Sequence, residues 1–253
     1  LNVRSALYKI LFRPAATLDD LLFEGDQKRS WRATNVLAIT DTLLVLVFLA
    51  GMAILYLAGS GIATVPYSEI FPISKTLLIT ILVASVPLSF LCSWVFHALA
   101  RYCFAWIVRT GLRISAWGQY PRDRQEQAEK ARQLQLIQPY TAWVNWMPSQ
   151  LSNLLYGVSM FVGAFVAMTG NTALTVIWSI VSIVLGLISY MVPLGSYIYM
   201  IIVRVMAIQK IYGISGARAF WGPFLIYVLI YGVLFVSFLG ILAWEFMTGT
   251  STA

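Results

Sequence analysis

Long apolar stretches separated by short basic segments dominate the chain. Five stretches reach the roughly 20 residues that a helix needs to cross about 30 Å of hydrocarbon. They are Val36–Ala58, interrupted only by Asp41, then Thr76–Ala100, Leu151–Thr169, Thr172–Val203, and Phe220–Trp244, closed by Glu245. All are continuously apolar rather than alternating, so helices are expected and barrel strands are not. The pattern predicts an all-α, polytopic membrane protein with five transmembrane helices. A cytoplasmic amphipathic segment would occupy residues 1–35, and a five-helix membrane domain residues 36–253, with a cytoplasmic loop over 101–150. Two stretches exceed the bilayer. The second stays apolar past Arg101 to Val108 and the fourth meets no charge before Arg204, so each covers about 50 Å at 1.5 Å per residue. Both are expected to project into the cytoplasm and pack together there, with Pro87 and Pro193 as kink points.

The basic residues give the five spans a direction. Six precede the first span (Arg4, Lys9, Arg13, Lys28, Arg29, Arg32), and only Lys75 separates the first from the second. Seven lie between the second and third spans, none at Gly170–Asn171, and three from Arg204 to Arg218. Five alternating crossings therefore put 16 of the 17 Lys and Arg on one side. That asymmetry predicts a cytoplasmic N-terminus and an outward C-terminus, in the cell (inner) membrane. An even number of spans would scramble it.

Composition closes off the soluble alternatives. Hydrophobic residues make up 60% of 253 and charged residues 11%, with a mean hydropathy of +0.80. A soluble particle of this size has too much surface to hide that much apolar area. Disorder, a disulfide scaffold and nucleic-acid binding fall with it. The net charge of +7 reads as topology determinants and contacts to anionic lipid headgroups on the cytoplasmic face. Cys92 and Cys103 are spaced about 16 Å along one helix and cannot pair within it, so both are expected to be small packing residues.

The cytoplasmic pieces carry their own pattern. Val3, Leu7, Ile10 and Leu11 share a helical face with Arg4, Lys9 and Arg13 interspersed, a short amphipathic helix that either lies on headgroups or packs on the protein itself. Pro14 ends it, and Thr17 with Asp20 is a weak capping signal for a second helix through Phe23. Residues 122–138 are polar and helix-favouring, with Glu126 and Lys130 paired at i, i+4. Trp143 and Trp146 stand where an interfacial aromatic belt would.

Few residues could do chemistry. An ionisable side chain at membrane depth is costly and therefore draws a functional hypothesis. Asp41 lies just inside the first span and is expected to pair with Arg32, Arg101 or Arg204, a proton- or ion-linked role being the alternative. His97, the single histidine, sits one turn before Arg101. It reads as a hydrogen-bonded interfacial side chain, or as one axial ligand of a haem or a chlorophyll-type pigment shared with a partner subunit. Gly163 and Ala167 at i, i+4 are expected at a close helix contact. No spacing of Cys and His suits a metal, and no phosphate-binding loop, dinucleotide fingerprint, nucleophile elbow or zinc-protease helix is present. Catalytic residues and cofactors are not expected.

Three segments carry a family resemblance: "LYKILFRPAATLDDLL" (7–22), "AWVNWMPSQLSNLL" (142–155), in which a Pro introduces the third span, and "QKIYGISGARAFWGPFLIYVLI" (209–230). Together they resemble bacterial Yip1-domain proteins. The resemblance implies a five-helix membrane domain with a cytoplasmic N-terminus and no catalytic residues. Eukaryotic members are adaptors for small GTPases, but the "DLYGP" motif that marks them is absent here. The expected function is a non-catalytic membrane scaffold or accessory subunit packed against other membrane protein subunits. A pigment- or cofactor-associated subunit using His97, and a small transporter using Asp41, are the alternatives.

Overall fold

In the computed structural model, residues 2–62, 75–116 and 120–248 are described, and all the regular structure among them is α-helical. The helices are α1 (Val3–Phe12), α2 (Pro14–Glu24), α3 (Gln27–Ile62), α4 (Lys75–Ser115), α5 (Arg124–Met168), α6 (Thr172–Tyr212) and α7 (Gly216–Thr248). Five of them, α3 to α7, are long and apolar enough to cross a membrane. Expected features within 63–74, and in the tail beyond 248, lie outside the described residues.

Short polar side chains start the helices. Asp26 accepts from the backbone N–H groups of Lys28 (2.9 Å) and Arg29 (3.2 Å) ahead of α3. Asp123 accepts from Glu126 N–H (3.1 Å) at the entry to α5, and Asn171 from Leu174 N–H (3.2 Å) at the entry to α6. Each quenches a donor that the first helical turn leaves open. Gly25, at φ 59°, closes α2 in the left-handed conformation that side chains disfavour. Pro14 has a second role that the sequence reading missed: it also opens α2 as its first residue, where its absent N–H costs nothing. Thr17 is consequently an interior residue, and its hydroxyl donates back to Arg13 O at 2.8 Å.

Helix ends depart further from the hydropathy pattern. The 101–150 loop does not stand apart from the third span. Its polar part from Arg124 and the apolar stretch to Met168 form one helix of 45 residues, the longest among the described residues, running through Pro139 and Pro148. Pro148 therefore lies inside a helix rather than at its start. Contacts flank it on either side: Trp146 and Gln150 reach α3, and Asn145 reaches α6. Helices α4 and α6 span 41 residues each and continue through Pro87 and Pro193. At about 60 Å each they exceed the hydrocarbon core twofold.

The chain divides into two compact units, residues 1–100 with 136–204, and residues 101–135 with 205–253. Helix α3 begins at Gln27, ahead of the apolar stretch, and α1 and α2 belong to the same unit. In the first unit Ala6, Leu7 and Ile10 of α1 are buried with Leu18 of α2 and Ala33, Leu37 and Ala38 of α3. Tyr199 of α6 donates to Leu11 O (3.0 Å), and Ser30 donates to Leu136 O (2.8 Å). The apolar face of α1 is thus turned to the protein, while Tyr8, Phe12 and Phe23 stay exposed. In the second unit α4 and α7 touch backbone to backbone at Gly111 and Gly222. Tyr120 stacks on Tyr212 at 6.1 Å, with Arg113 and Lys130 over their respective rings. The expected Glu126–Lys130 pair forms at 3.1 Å.

Candidate functional site: the Asp41 centre

An apolar span tolerates a carboxylate only where donors replace the water it has lost. Asp41 meets four. Oδ2 accepts from the Ser93 hydroxyl and from His97 Nε2 (2.8 Å), both on α4. Oδ1 accepts from Trp146 Nε1 and Gln150 Nε2, each at 2.8 Å and both on α5. A carboxylate offers about four lone-pair positions, so the acceptor shell is complete. Three helices are tied through one side chain. The donors on each partner helix stand one turn apart, Ser93 with His97 and Trp146 with Gln150, so each pair faces α3 together.

None of the four donors is an arginine. The expected pairing of Asp41 with Arg32, Arg101 or Arg204 is therefore replaced by one imidazole and three neutral donors, because two helices already fill the carboxylate's lone pairs. Arg101 is buried and Arg204 half-buried. His97 is buried, and its Nε2 is hydrogen-bonded to Asp41. Ligation of a haem iron or a chlorophyll-type magnesium through that nitrogen would displace the carboxylate. Among the described residues no three His, Cys, Asp or Glu side chains come close enough to hold a metal ion.

Further contacts brace the centre. Trp94 Nε1 donates to Asn35 Oδ1 (2.9 Å), and its ring stacks on Trp31. Asn145 Oδ1 accepts from Ser196 (2.9 Å), and Ser189 donates to Ser152 O (3.2 Å), joining α5 to α6. Beyond Asp41, α3 and α5 interlock reciprocally. Phe48 lies against Gly157, and Phe161 against Gly51, with no space for a Cβ at either glycine. Gly163 lies against the Trp178 indole in the same manner, whereas Ala167 is exposed.

Beside the centre is an open groove of about 480 Å³ between α3, α4 and α5. It is bordered by Asp41, Leu44 and Val45 of α3, Ser89, Cys92, Ser93 and Phe96 of α4, and Gln150 and Asn153 of α5. Sequence reading singled out Asp41 and His97 but missed Ser93 and Gln150, and placed Trp146 only in an interfacial aromatic belt, without its bond to Asp41. The available signal was the i, i+4 spacing of polar groups within apolar stretches of two helices. No family profile, curated protein or solved structure matches this chain.

Proposed function

We propose that this chain is a non-catalytic scaffold or accessory subunit of a multi-pass membrane assembly, of the Yip1-domain type. The filled acceptor shell of Asp41 carries the reading. A carboxylate that serves as a proton carrier must be able to exchange its partners, whereas this one spends all its lone pairs on fixing α3, α4 and α5. The long helices fit the same role. With the N-terminus in the cytoplasm, α4, α5 and α6 extend past the bilayer on the basic side and offer helical surface to other subunits. The C-terminus lies outside, and the membrane is the cell (inner) membrane.

Reconstitution into proteoliposomes tests the choice between holding and transporting. The protein is expected to leave an imposed pH gradient intact, and Asp41→Asn to behave likewise. A proton flux that the wild type supports and Asp41→Asn abolishes would overturn the scaffold reading. In mild detergent the native chain is expected to migrate with a companion subunit at fixed stoichiometry.

A further inference from the structure

The two short helices ahead of α3 carry opposite charge on their outer surfaces. On α1 and its C-cap, Arg4, Lys9 and Arg13 are exposed, and no acidic residue stands among them. On α2, Asp19, Asp20 and Glu24 are exposed, and the helix contains no Lys or Arg. Between the α1 cations stand two aromatic rings, Tyr8 (67% exposed) and Phe12 (68%), one turn apart with centroids separated by 5.0 Å. The inward face of α1, with Val3, Ala6, Leu7 and Ile10, is already buried. Tyr8 and Phe12 therefore form a second, outward apolar patch set in positive charge, the pairing of groups found on helices that lie in a lipid headgroup layer.

Two measures of height put α1 at that layer. Tyr199, which donates to Leu11 O at 3.0 Å, follows Thr172 by 27 residues, about 40 Å along α6. Hydrocarbon accounts for roughly 30 Å and the bilayer with its headgroups for 40–45 Å, so a span starting at the Gly170–Asn171 turn brings Leu11 to the opposite headgroups. Along α5, Gln150 stands 18 residues before Met168, about 27 Å, which sets its partner Asp41 near the hydrocarbon edge. The buried Leu37 and Ala33 of α3 lie one and two turns beyond Asp41 on the same side, and α1 packs on α3. What surrounds the flank of a bundle at this height is headgroup. We infer that the outer face of α1 docks on the anionic lipid surface of the protein's own bilayer, with Arg4, Lys9 and Arg13 on phosphates and the Tyr8 and Phe12 rings between the lipids. The acidic outer face of α2 is repelled by the same surface, which turns α1 and not α2 toward it. This docking does not rest on the scaffold reading, since it requires only that α1 stand at headgroup height.

The whole chain in nanodiscs, with Cys92 and Cys103 replaced, tests the docking in two ways. A bimane label at Ser5→Cys, on the face of Tyr8 and Phe12, is expected to be quenched by a lipid carrying a nitroxide headgroup, and a label at Asp20→Cys on α2 to be quenched far less. Hydrogen exchange of the α1 amides is expected to slow at least about five-fold when phosphatidylglycerol is added to phosphatidylcholine discs. The variant Arg4→Gln/Lys9→Gln/Arg13→Gln should lose that slowing, and so should the unaltered chain in about 1 M salt, where charges are screened within about 3 Å. Equal quenching at the two positions overturns the docking, as does a label at residue 5 reached only by an aqueous quencher, the result expected if a protein partner or solvent covers α1. Exchange that ignores phosphatidylglycerol, or a folded triple variant that still responds to it, also overturns it. Should the triple variant not fold, the salt dependence of the unaltered chain decides.

Discussion

At the scale of the residue, Asp41 is the point on which the membrane part of the first unit turns. Its four donors come from two neighbouring helices, so its removal strands buried polar groups on both. Asp41→Ala is expected to destabilise by about 2–4 kcal/mol, since each unpaired buried donor costs about 1–3 kcal/mol and some will find new partners. Asp41→Asn keeps one acceptor oxygen but turns an NH₂ toward two donors, and should cost about 1–3 kcal/mol. Unfolding in detergent, followed by helical circular dichroism, orders the two variants. A melt of Asp41→Ala identical to wild type would refute the staple. The importance of Asp41 was legible in the sequence, because an acidic residue inside an apolar span is conspicuous. Its partners were not. Ser93, Trp146 and Gln150 are ordinary residues whose significance depends on which helices neighbour α3.

At the scale of the element, helices α3 and α5 are held close by paired substitutions of size: a glycine opposite a phenylalanine, twice, in opposite senses. Lipid supplies no hydrophobic drive between helices, so such close packing carries much of their association. Gly157→Leu would drive a side chain into the Phe48 ring and is expected to cost about 1–3 kcal/mol. Gly186 on α6 has open space around the position of a Cβ. Gly186→Ala should therefore stabilise by about 0.5–1 kcal/mol, by restricting the unfolded chain and favouring helix. Opposite signs in one thermal-shift experiment would separate contact from propensity, and a loss in both variants would contradict the open surroundings of Gly186. Hydropathy marked the five apolar stretches, and the described helices run on beyond them, most plainly in α5. It reports where apolar residues begin, whereas a helix continues as long as its backbone bonds and flanking contacts allow.

At the scale of the whole molecule, orientation rests on the one-sided distribution of Lys and Arg. If α3 enters from the cytoplasm, as that distribution predicts, Lys130 and Lys210 are expected to face the cytoplasm and Asn171 the exterior. Single-cysteine variants at 130, 171 and 210, on a chain with Cys92 and Cys103 replaced, test this with a membrane-impermeant maleimide applied to intact cells. Position 171 alone is expected to label before lysis. Labelling of 130 or 210 first would invert the expected topology.

The five spans, the all-helical class and the basic asymmetry follow from the linear chain. Each depends on local quantities: the apolar length needed to cross hydrocarbon, and the charge of short connecting segments. Tertiary structure decided the rest. Whether Pro14 ends a helix or starts one depends on where α1 and α2 pack. Pro148 sits inside a 45-residue helix because contacts to α3 and α6 flank it. The partners of Asp41 became a histidine, a serine, a tryptophan and a glutamine, rather than an arginine. Which donors reach a buried carboxylate is a matter of helix neighbours and rotation, and neither is encoded in hydropathy.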